Sequence, residues 1–301
     1  MPLTQVTEFA PAKVNLTLHV TGQRTDGYHL LDSLVVFCSI GDVLQASLAN
    51  TLSLTVEGPF APDIPPGMDN LVLRAAHQFA GDMGVAFTLK KHLPPASGIG
   101  GGSADAAAAI RAVMRLRENR GLPSLPDADV ASVLALGADV PVCLLSTAAR
   151  MRGIGERLEV IGPVPTMHIA LINPRVAVPT PAIFKALTTR HNPPMPDKLP
   201  DWADVQAMAN WLKTQRNDLE QPALIIAPVI SDVLASLVAQ PGALIARMSG
   251  SGATCFALFE TAIAAKAAVD AIVGVQPDWW AASGPVYSGG SNGNQLIRAT
   301  T

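Results

Sequence analysis

The sequence predicts an α+β protein of two domains, and three observations support this prediction. At 301 residues the chain is long enough for one large or two ordinary domains. Short segments of alternating apolar and polar residues, typical of strands, recur between residues 4 and 57. A glycine-rich run at 98–102 opens an alanine-rich helix, and a second glycine- and proline-rich stretch at 162–165 precedes a new apolar strand at 167–172.

The composition is that of a globular protein. Apolar residues make up 49% and charged residues 15%, and the formal charge of −3 gives no general attraction to nucleic acid or anionic membranes. No apolar run approaches the length of a membrane span, and the first residues lack the pattern of a signal peptide. Cys38, Cys143 and Cys255 are odd in number and far apart, which favours buried thiols in a reducing cytoplasm.

Local patterns place the remaining elements. Strands are predicted at 4–9, 14–20, 34–38, 42–48, 52–57 and 86–89, and helices at 69–79, 127–136, 202–212 and 262–273. The four prolines of 191–200 indicate a surface loop. From Ser283 onward the chain turns to glycine, serine and asparagine, which predicts a mobile tail.

The glycine run is the strongest functional signal. It reads Pro95-Ala96-Ser97-Gly98-Ile99-Gly100-Gly101-Gly102-Ser103-Ala104-Asp105. Bare backbone amides ahead of a helix capped by Ser103 or Asp105 would form an anion site, and phosphate is the expected anion. The P-loop pattern is excluded because the chain has no Gly-Lys dipeptide, and the dinucleotide fingerprint lacks its third glycine. A flexible loop or a glycine-mediated helix contact is the alternative interpretation.

Other charged and aromatic residues have two interpretations each. Lys13 and Asp139 are lone charges among apolar residues, and each could be an ordinary solvated or turn residue. Tyr28 and His29 combine an aromatic plane with a hydrogen-bonding ring, which suits a nucleobase, but they could equally be core residues after a turn. The cluster at 90–92 and the pair Arg111 and Arg115 are expected to be solvated.

The glycine run resembles the phosphate-binding motif of the GHMP kinases, Pro-x-x-x-Gly-Leu-Gly-x-Gly/Ser-Ser, with Ile99 in place of leucine. Further segments match one branch of this superfamily: Pro-Ala-Lys-Val-Asn-Leu at 11–16, Asp-Gly-Tyr-His at 26–29, Gly-Ala-Asp-Val-Pro-Val at 137–142 and the serine–glycine run from 248. The resemblance implies a ribosomal-S5-like N-terminal domain over 1–162 and a ferredoxin-like C-terminal domain over 163–287, followed by a tail at 288–301.

The resemblance also implies roles for individual residues. Lys13 and Asp139 would be catalytic, with the aspartate accepting the substrate proton. The implied ATP-binding residues are Pro95, Ala96, Ser97, Gly98, Ile99, Gly100, Gly101, Gly102, Ser103, Ala104, Asp105, Asn70, Leu71 and, by its position, Lys90. The implied substrate-binding residues are Asn15, Tyr28, His29, Thr180, Phe184, Ser249 and Gly250. Phe184 could instead be a core residue, the 249–252 loop an ordinary hairpin turn, and Asn70 only a helix cap.

The implied reaction is the transfer of the γ-phosphoryl group of ATP, with Mg²⁺, to the 2-hydroxyl of a cytidine diphosphate-linked methylerythritol in non-mevalonate isoprenoid synthesis. Ser103 could reach the metal. The expected partners are these small molecules, for a monomer or homodimer. Another small-molecule kinase of the superfamily, or a non-catalytic nucleotide-binding regulator on the same fold, are the alternatives.

Overall fold

The computed structural model describes residues 4–122 and 130–287. Within these ranges the chain forms strands and helices in an α+β arrangement. The strands are β1 (Gln5–Asn15), β2 (His19–Gln23), β3 (His29–Ala49), β4 (Ser53–Glu57), β5 (Gly84–Lys90), β6 (Ala149–Gly153), β7 (Arg157–Val160), β8 (His168–Asn173), β9 (Ile245–Met248), β10 (Cys255–Phe259) and β11 (Trp280–Tyr287). The helices are α1 (Leu71–Phe79), α2 (Gly101–Asn119), α3 (Val130–Leu134), α4 (Val140–Leu145), α5 (Thr180–Lys185), α6 (Val205–Lys213), α7 (Glu220–Ile226), α8 (Val229–Val238) and α9 (Ala262–Val275). A short 3₁₀ helix lies at Ala61–Asp63.

The long strand β3 is the axis of the sheet. The main strand order is β4-β5-β3-β11-β8-β10-β9, and β1, β2 and β6 also pair along β3. The prediction of two strands at 34–38 and 42–48 was wrong, because they are parts of this one 21-residue strand. Gly41 does not make a turn. It lies opposite Pro11, where a β-carbon would come within 2.4 Å of the Ala10 carbonyl oxygen, so glycine allows the neighbouring strand to pass.

Three apolar clusters form the core. One lies between α1, α2, α4 and the sheet, and the alanines of α2 at 106–109 are fully buried there. Their small side chains let the helix approach the strands closely. A second cluster packs α7, α8 and α9 against β8 and β10, and a third packs α6 against β1, β3 and β8. Cys38, Cys143 and Cys255 are free and buried, as predicted.

The last described strand joins the two halves of the chain. Residues 280–285 of β11 pair with β8, and Val286 and Tyr287 pair with β3. The prediction of a mobile tail from Ser283 was therefore wrong for residues 283–287, whose partners on β8 and β3 lie more than 100 positions away and leave no local signal. The tail predicted at 288–301 lies outside the described residues. The domain boundary predicted at 162/163 falls in the connection between β7 and β8.

The segment 191–200 has no helix or strand, but it is not simply a surface loop. Met195 is buried, and its backbone N–H donates to Asp32. Arg150, also buried, donates to both oxygens of Asp32 and to the carbonyl oxygens of Met195 and Pro196. This buried ion pair fixes a segment whose prolines alone indicated exposure.

Two arginines that were predicted to be solvated are also tied into the structure. Arg111 is buried and donates to Glu8, to the Phe9 carbonyl oxygen and to the Cys143 carbonyl oxygen. Arg115 donates to the other oxygen of Glu8 at 2.7 Å. These contacts connect α2 to β1 and α4. Of the helix predicted at 127–136, the structure shows Val130–Leu134 as helix and 135–136 as a turn, and 127–129 lie outside the described residues. None of the helices in the described ranges is long and apolar enough to cross a membrane.

Candidate active site

A cleft of about 950 Å³ lies between elements from both halves of the chain. The residues that line it come from β1, the turn before β3, the glycine run, the start of α4, α5 and the loop after β9. Those that the sequence also singled out are Lys13, Asn15, Tyr28, His29, Leu71, Ala96, Ser97, Gly98, Gly100, Gly101, Gly102, Ser103, Asp139, Thr180, Phe184 and Gly250. One cavity therefore collects most of the predicted site residues.

Lys13 and Asp139 form an ion pair in this cleft. The Nζ atom of Lys13 donates to Oδ2 of Asp139 at 2.8 Å. The lysine is 3% exposed, whereas the aspartate side chain is 31% exposed and reaches the open space. Asp139 precedes α4, but its side chain makes no capping hydrogen bond. Its carboxylate is thus free to contact both the lysine and a bound molecule.

The glycine run holds the backbone of this site in a conformation that other residues adopt rarely. Gly98 and Gly100 have φ angles of 78° and 66°. The Lys13 backbone N–H donates to the Ile99 carbonyl oxygen at 2.9 Å, which joins the run to β1. A β-carbon at Gly100 would lie 3.2 Å from the β-carbon of Lys13. Glycine here lets the lysine lie directly against the run.

Helix α2 begins at Gly101 with Gly100 as its N-cap, so the prediction that Ser103 or Asp105 caps it was wrong. The left-handed conformation of Gly100 starts the helix without a capping side chain. The first intrahelical bond runs from the Ala104 N–H to the Gly100 carbonyl oxygen. The amides of Gly101, Gly102 and Ser103 therefore have no partner within the helix, and these residues line the cleft.

Part of the predicted ATP-binding set does not line the cleft. The members of this set that do not line it are Pro95, Ile99, Ala104, Asp105, Asn70 and Lys90. Ile99 is fully buried in the core, and Asn70 caps α1 by accepting the Val72 N–H at 2.9 Å. Asp105 points away from the cleft toward Lys91. The prediction that the 90–92 cluster is solvated was wrong for Lys91, which is 1% exposed.

The loop between β9 and β10 meets the glycine run backbone to backbone. A β-carbon at Gly98 would lie 2.5 Å from the Ser249 carbonyl oxygen, and one at Gly250 would lie 2.7 Å from the Gly98 carbonyl oxygen. Ser249 is buried and does not line the cleft. Its hydroxyl accepts the Asn15 N–H and donates to the Gly98 carbonyl oxygen. The loop is a hairpin connection, and it also places Gly250 at the cleft.

Aromatic side chains occupy the other end of the cleft. The rings of His29 and Phe184 are stacked with centroids 4.6 Å apart. Tyr28 is 59% exposed, and Phe184 also packs against the second core cluster. Burial, and secondarily the nearby Arg190, lowers the pKa of His29, which keeps the imidazole neutral at physiological pH.

Two buried polar atoms at the cleft are left without a hydrogen-bond partner in the described part of the chain. They are Nε2 of His29 and Oδ1 of Asn15. Buried polar atoms are rarely left unpaired, so these two mark positions where a bound molecule would complete the hydrogen bonding. Thr180 also lines the cleft, with its hydroxyl 2.8 Å from that of Ser251.

Several lining residues were not identified from the sequence. Lys185, Arg190 and Ser251 all reach the cleft. Lys185 follows Phe184 directly, and Ser251 lies inside the serine–glycine run, so both had a local signal. Arg190 lies in a region of weak pattern and had none.

The fold and the cleft are those of a two-domain small-molecule kinase. Models of the GHMP kinases N terminal domain and of GHMP kinases C terminal match residues 70–147 and 196–275. A protein of Cereibacter sphaeroides named 4-diphosphocytidyl-2-C-methyl-D-erythritol kinase is 58% identical over 91% of this chain and 96% of its own. One of the same name from Ruegeria pomeroyi is 55% identical over 92% and 98%.

Solved structures agree with these matches. A crystal structure of 4-(cytidine 5'-diphospho)-2C-methyl-D-erythritol kinase is 33% identical, with a TM-score of 0.74 over 95% of this chain and 100% of that one. Homoserine kinase from Cytophaga hutchinsonii, at 20% identity and a TM-score of 0.63 over 96% of both chains, shares the fold. The chain belongs to the GHMP kinases and, within them, to the family of 4-diphosphocytidyl-2-C-methyl-D-erythritol kinases.

Proposed function

We propose that this protein transfers the γ-phosphoryl group of ATP to the 2-hydroxyl of 4-diphosphocytidyl-2-C-methyl-D-erythritol, a step of non-mevalonate isoprenoid synthesis. The observation that carries the proposal is the pair of Lys13 and Asp139, 2.8 Å apart in a cleft that also presents unpaired helix amides. Relatives at 55–58% identity that bear the name of this activity support the choice of substrate.

ATP would bind with its phosphates at the N-terminus of α2. The amides of Gly101, Gly102 and Ser103 are free of intrahelical bonds and face the cleft, and the helix dipole adds positive potential there. Leu71 lines the same side of the cleft and would contact the base. The side chains of Asn70, Lys90 and Asp105 would not take part directly.

The cytidyl substrate would bind at the aromatic end. The exposed ring of Tyr28 offers a face for the cytosine, and Nε2 of His29 offers the unmatched hydrogen-bonding atom. Phe184 would fix the imidazole through the observed stacking and close the pocket. The unpaired Oδ1 of Asn15 and the Thr180 hydroxyl would contact the methylerythritol portion, beside Gly250.

The chemistry follows from the charged pair. Asp139 would accept the proton of the substrate 2-hydroxyl. The hydroxyl oxygen would attack the γ-phosphorus as the bond from that phosphorus to the β–γ bridging oxygen breaks, which releases ADP. Lys13 orients the carboxylate and places a positive charge next to the reacting oxygens. Phosphoryl transfer requires mainly alignment and charge neutralisation, and both groups are positioned for that.

A magnesium ion fits this arrangement if ATP supplies most of its ligands. In the described ranges no group of three or more His, Cys, Asp or Glu side chains is placed to hold a metal. Mg²⁺ commonly takes one or two protein oxygens with phosphates and water, and Asp139 and Ser103 both offer an oxygen at the cleft. When bound, it would neutralise charge on the phosphate oxygens.

We also propose the division into domains at 162/163, in the connection between β7 and β8, and a cytoplasmic location for a monomer or homodimer. The position of the cleft between the two halves supports the division into domains. The three free, buried cysteines support a reducing compartment. A non-catalytic regulator has less support, because such a protein would not need Lys13 and Asp139 to be kept as a pair.

The test is a coupled kinase assay with Mg-ATP in which the cytidyl substrate, homoserine, mevalonate and galactose are offered in turn. We expect kcat/KM for the cytidyl substrate to exceed the others by at least about 10³-fold, because unpaired buried groups penalise acceptors that lack the base. Preference for another acceptor would support a different GHMP kinase, and activity with none of the four would remove the proposal.

A further inference from the structure

A buried lysine lies beneath the glycine run, outside the cleft. The Nζ atom of Lys91 donates to Oδ2 of Asp42 and to Oδ2 of Asp105, at 2.6 Å in each case. All three side chains are almost fully buried, at 5% exposure or less. Burying three charged groups is costly, and apolar residues of similar size would often be as stable, so the cluster calls for a role beyond general stability.

The three residues come from three segments that meet at the phosphate end of the cleft. Asp42 lies on β3, and its Oδ1 accepts the N–H groups of His92 and Leu93 at 2.6 and 2.8 Å. Lys91 follows β5, where its backbone N–H donates to the Glu57 carbonyl oxygen. Asp105 lies in the second turn of α2. The cluster thus ties the segment that leads into the glycine run to the helix that leaves it.

The ammonium group lies directly behind the first residue of the helix. A β-carbon at Gly101 would be 3.2 Å from Nζ of Lys91, and Gly101 is buried on that side. A β-carbon at Gly102 would instead meet only Leu71, and Gly102 is exposed to the cleft. The contact between Lys91 and Asp105 therefore holds the first turns of α2 from the side that faces away from the cleft.

We propose that Lys91, Asp42 and Asp105 are positioning residues for ATP, which hold the amides of α2 in the orientation that the phosphates require. They act through the backbone and do not touch the nucleotide. This inference rests on the proposed function only in that ATP is the ligand at the glycine run.

The test is Asp105→Leu, which removes one contact but leaves Lys91 and Asp42 as a neutral pair. We expect the Kd of ATP, measured by calorimetry, to rise by about tenfold. This rise corresponds to the loss of one charge-assisted hydrogen bond between a misaligned helix amide and a phosphate. The Kd of the cytidyl substrate should stay unchanged. Asp105→Asn keeps an acceptor for Lys91 and should restore ATP binding to near the wild-type value.

Glu8→Leu is the matched control, because it removes a buried carboxylate contact to the same helix farther from the glycine run. It should leave the Kd of ATP unchanged. Unchanged ATP binding in Asp105→Leu, equal loss for both ligands, or failure of Asp105→Asn to restore binding would overturn the proposal.

Asp105→Ser, whose side chain is too short to reach Lys91, serves as a second variant with the same expected rise. If neither Asp105→Leu nor Asp105→Ser melts cooperatively while Glu8→Leu does, the cluster is structural and the proposal fails. Wild-type protein that binds ATP but does not phosphorylate the cytidyl substrate would contradict the proposed function and leave this inference standing.

Discussion

The Nζ atom of Lys13 lies 2.8 Å from Oδ2 of Asp139, although 126 positions separate the two residues in the chain. The lysine is held by β1 and by the glycine run, and the aspartate by the turn before α4. The first residues of α2, whose amides have no partner within the helix, line the same cleft, and Gly100 before them lies against Lys13. A paired carboxylate and backbone amides without intrahelical partners therefore lie in the same cleft.

The proposed binding of the cytidyl group at the aromatic end of the cleft is tested by His29→Ala. Loss of the imidazole should raise the Kd of the cytidyl substrate by about 10- to 100-fold, since a buried hydrogen-bonding group of the substrate would be left unpaired. The Kd of ATP should change little. Calorimetry with each ligand measures both, and an equal loss of affinity would contradict the placement of the base beside His29.

Phe184 makes two kinds of contact, one with the ring of His29 and one with the second core cluster, and a substitution can separate their effects. Phe184→Leu keeps an apolar side chain against the second core cluster but removes the ring that stacks on His29. We expect a rise in KM for the cytidyl substrate with a melting temperature close to that of the wild type. A large drop in melting temperature with unchanged KM would show that Phe184 serves only the core.

The direction of the helix amides is tested by Gly102→Val. A β-carbon at Gly102 meets nothing closer than Leu71 at 3.6 Å, so the valine side chain would enter the cleft where the phosphates would lie. The KM for ATP should rise by about tenfold or more, because the valine would keep a phosphate from at least one helix amide, and tenfold corresponds to the loss of one charge-assisted hydrogen bond.

Gly274→Val is its control, because Gly274 is also helical and a β-carbon there meets nothing within 4 Å. Kinetic assays of both variants decide the point. An unchanged KM for ATP in Gly102→Val would mean that the phosphates lie elsewhere.

A glycine in the turn between β6 and β7 lies against the residue before Asp139. Gly155 has a φ of 116°, and a β-carbon there would lie 2.4 Å from the carbonyl oxygen of Ala138, the residue before Asp139. Gly155→Ala should lower kcat and cost about 1–3 kcal/mol of unfolding free energy, because the strained backbone would shift. Gly162→Ala, where a β-carbon meets nothing within 4 Å, should do neither. A normal kcat in Gly155→Ala would show that the position of Asp139 does not depend on Gly155.

The buried cluster below the glycine run predicts a pH dependence of stability. Burial raises the pKa of Asp105 to about 7, against the opposing effect of Lys91 and with a further rise from Asp42. The unfolded chain has the ordinary aspartate pKa, so the folded state binds more protons between about pH 4 and 7, and this group's contribution to stability falls as the pH rises through that window.

Asp105→Asn cannot ionise and should lack this contribution. Its melting temperature relative to that of the wild type should therefore increase from about pH 5 to about pH 8. Thermal melts across this range measure the difference. A difference that does not vary with pH would show that Asp105 keeps an ordinary pKa.

Local patterns predicted the elements whose signals lie within a few residues. The cap at Asn70, the strand at 86–89 and the helix from Ala262 depend on neighbouring residues, and the structure confirms them. Each motif of the site is contiguous in the chain and could therefore be recognised from the sequence, and most of the motif residues line one cleft.

Charged residues with distant partners could not be placed from the sequence. Lys91 and Arg111 resemble solvated cations until Asp42, Asp105 and Glu8 are brought beside them by the fold. Likewise, burial of the segment around Met195 depends on the ion pair between Asp32 and Arg150, on other strands. A lysine or arginine can be either solvated or buried, and the partner that the fold brings beside it determines which.

The most direct test of the account is a single-turnover experiment with Asp139→Asn and Lys13 intact. The variant should fold and bind Mg-ATP and the cytidyl substrate, because asparagine can still accept the Lys13 hydrogen bond. Transfer of the γ-phosphoryl group should slow by about 10²- to 10⁴-fold, the usual contribution of a general base. Transfer at the wild-type rate would contradict the assignment of Asp139 as the proton acceptor, and with it the proposed mechanism.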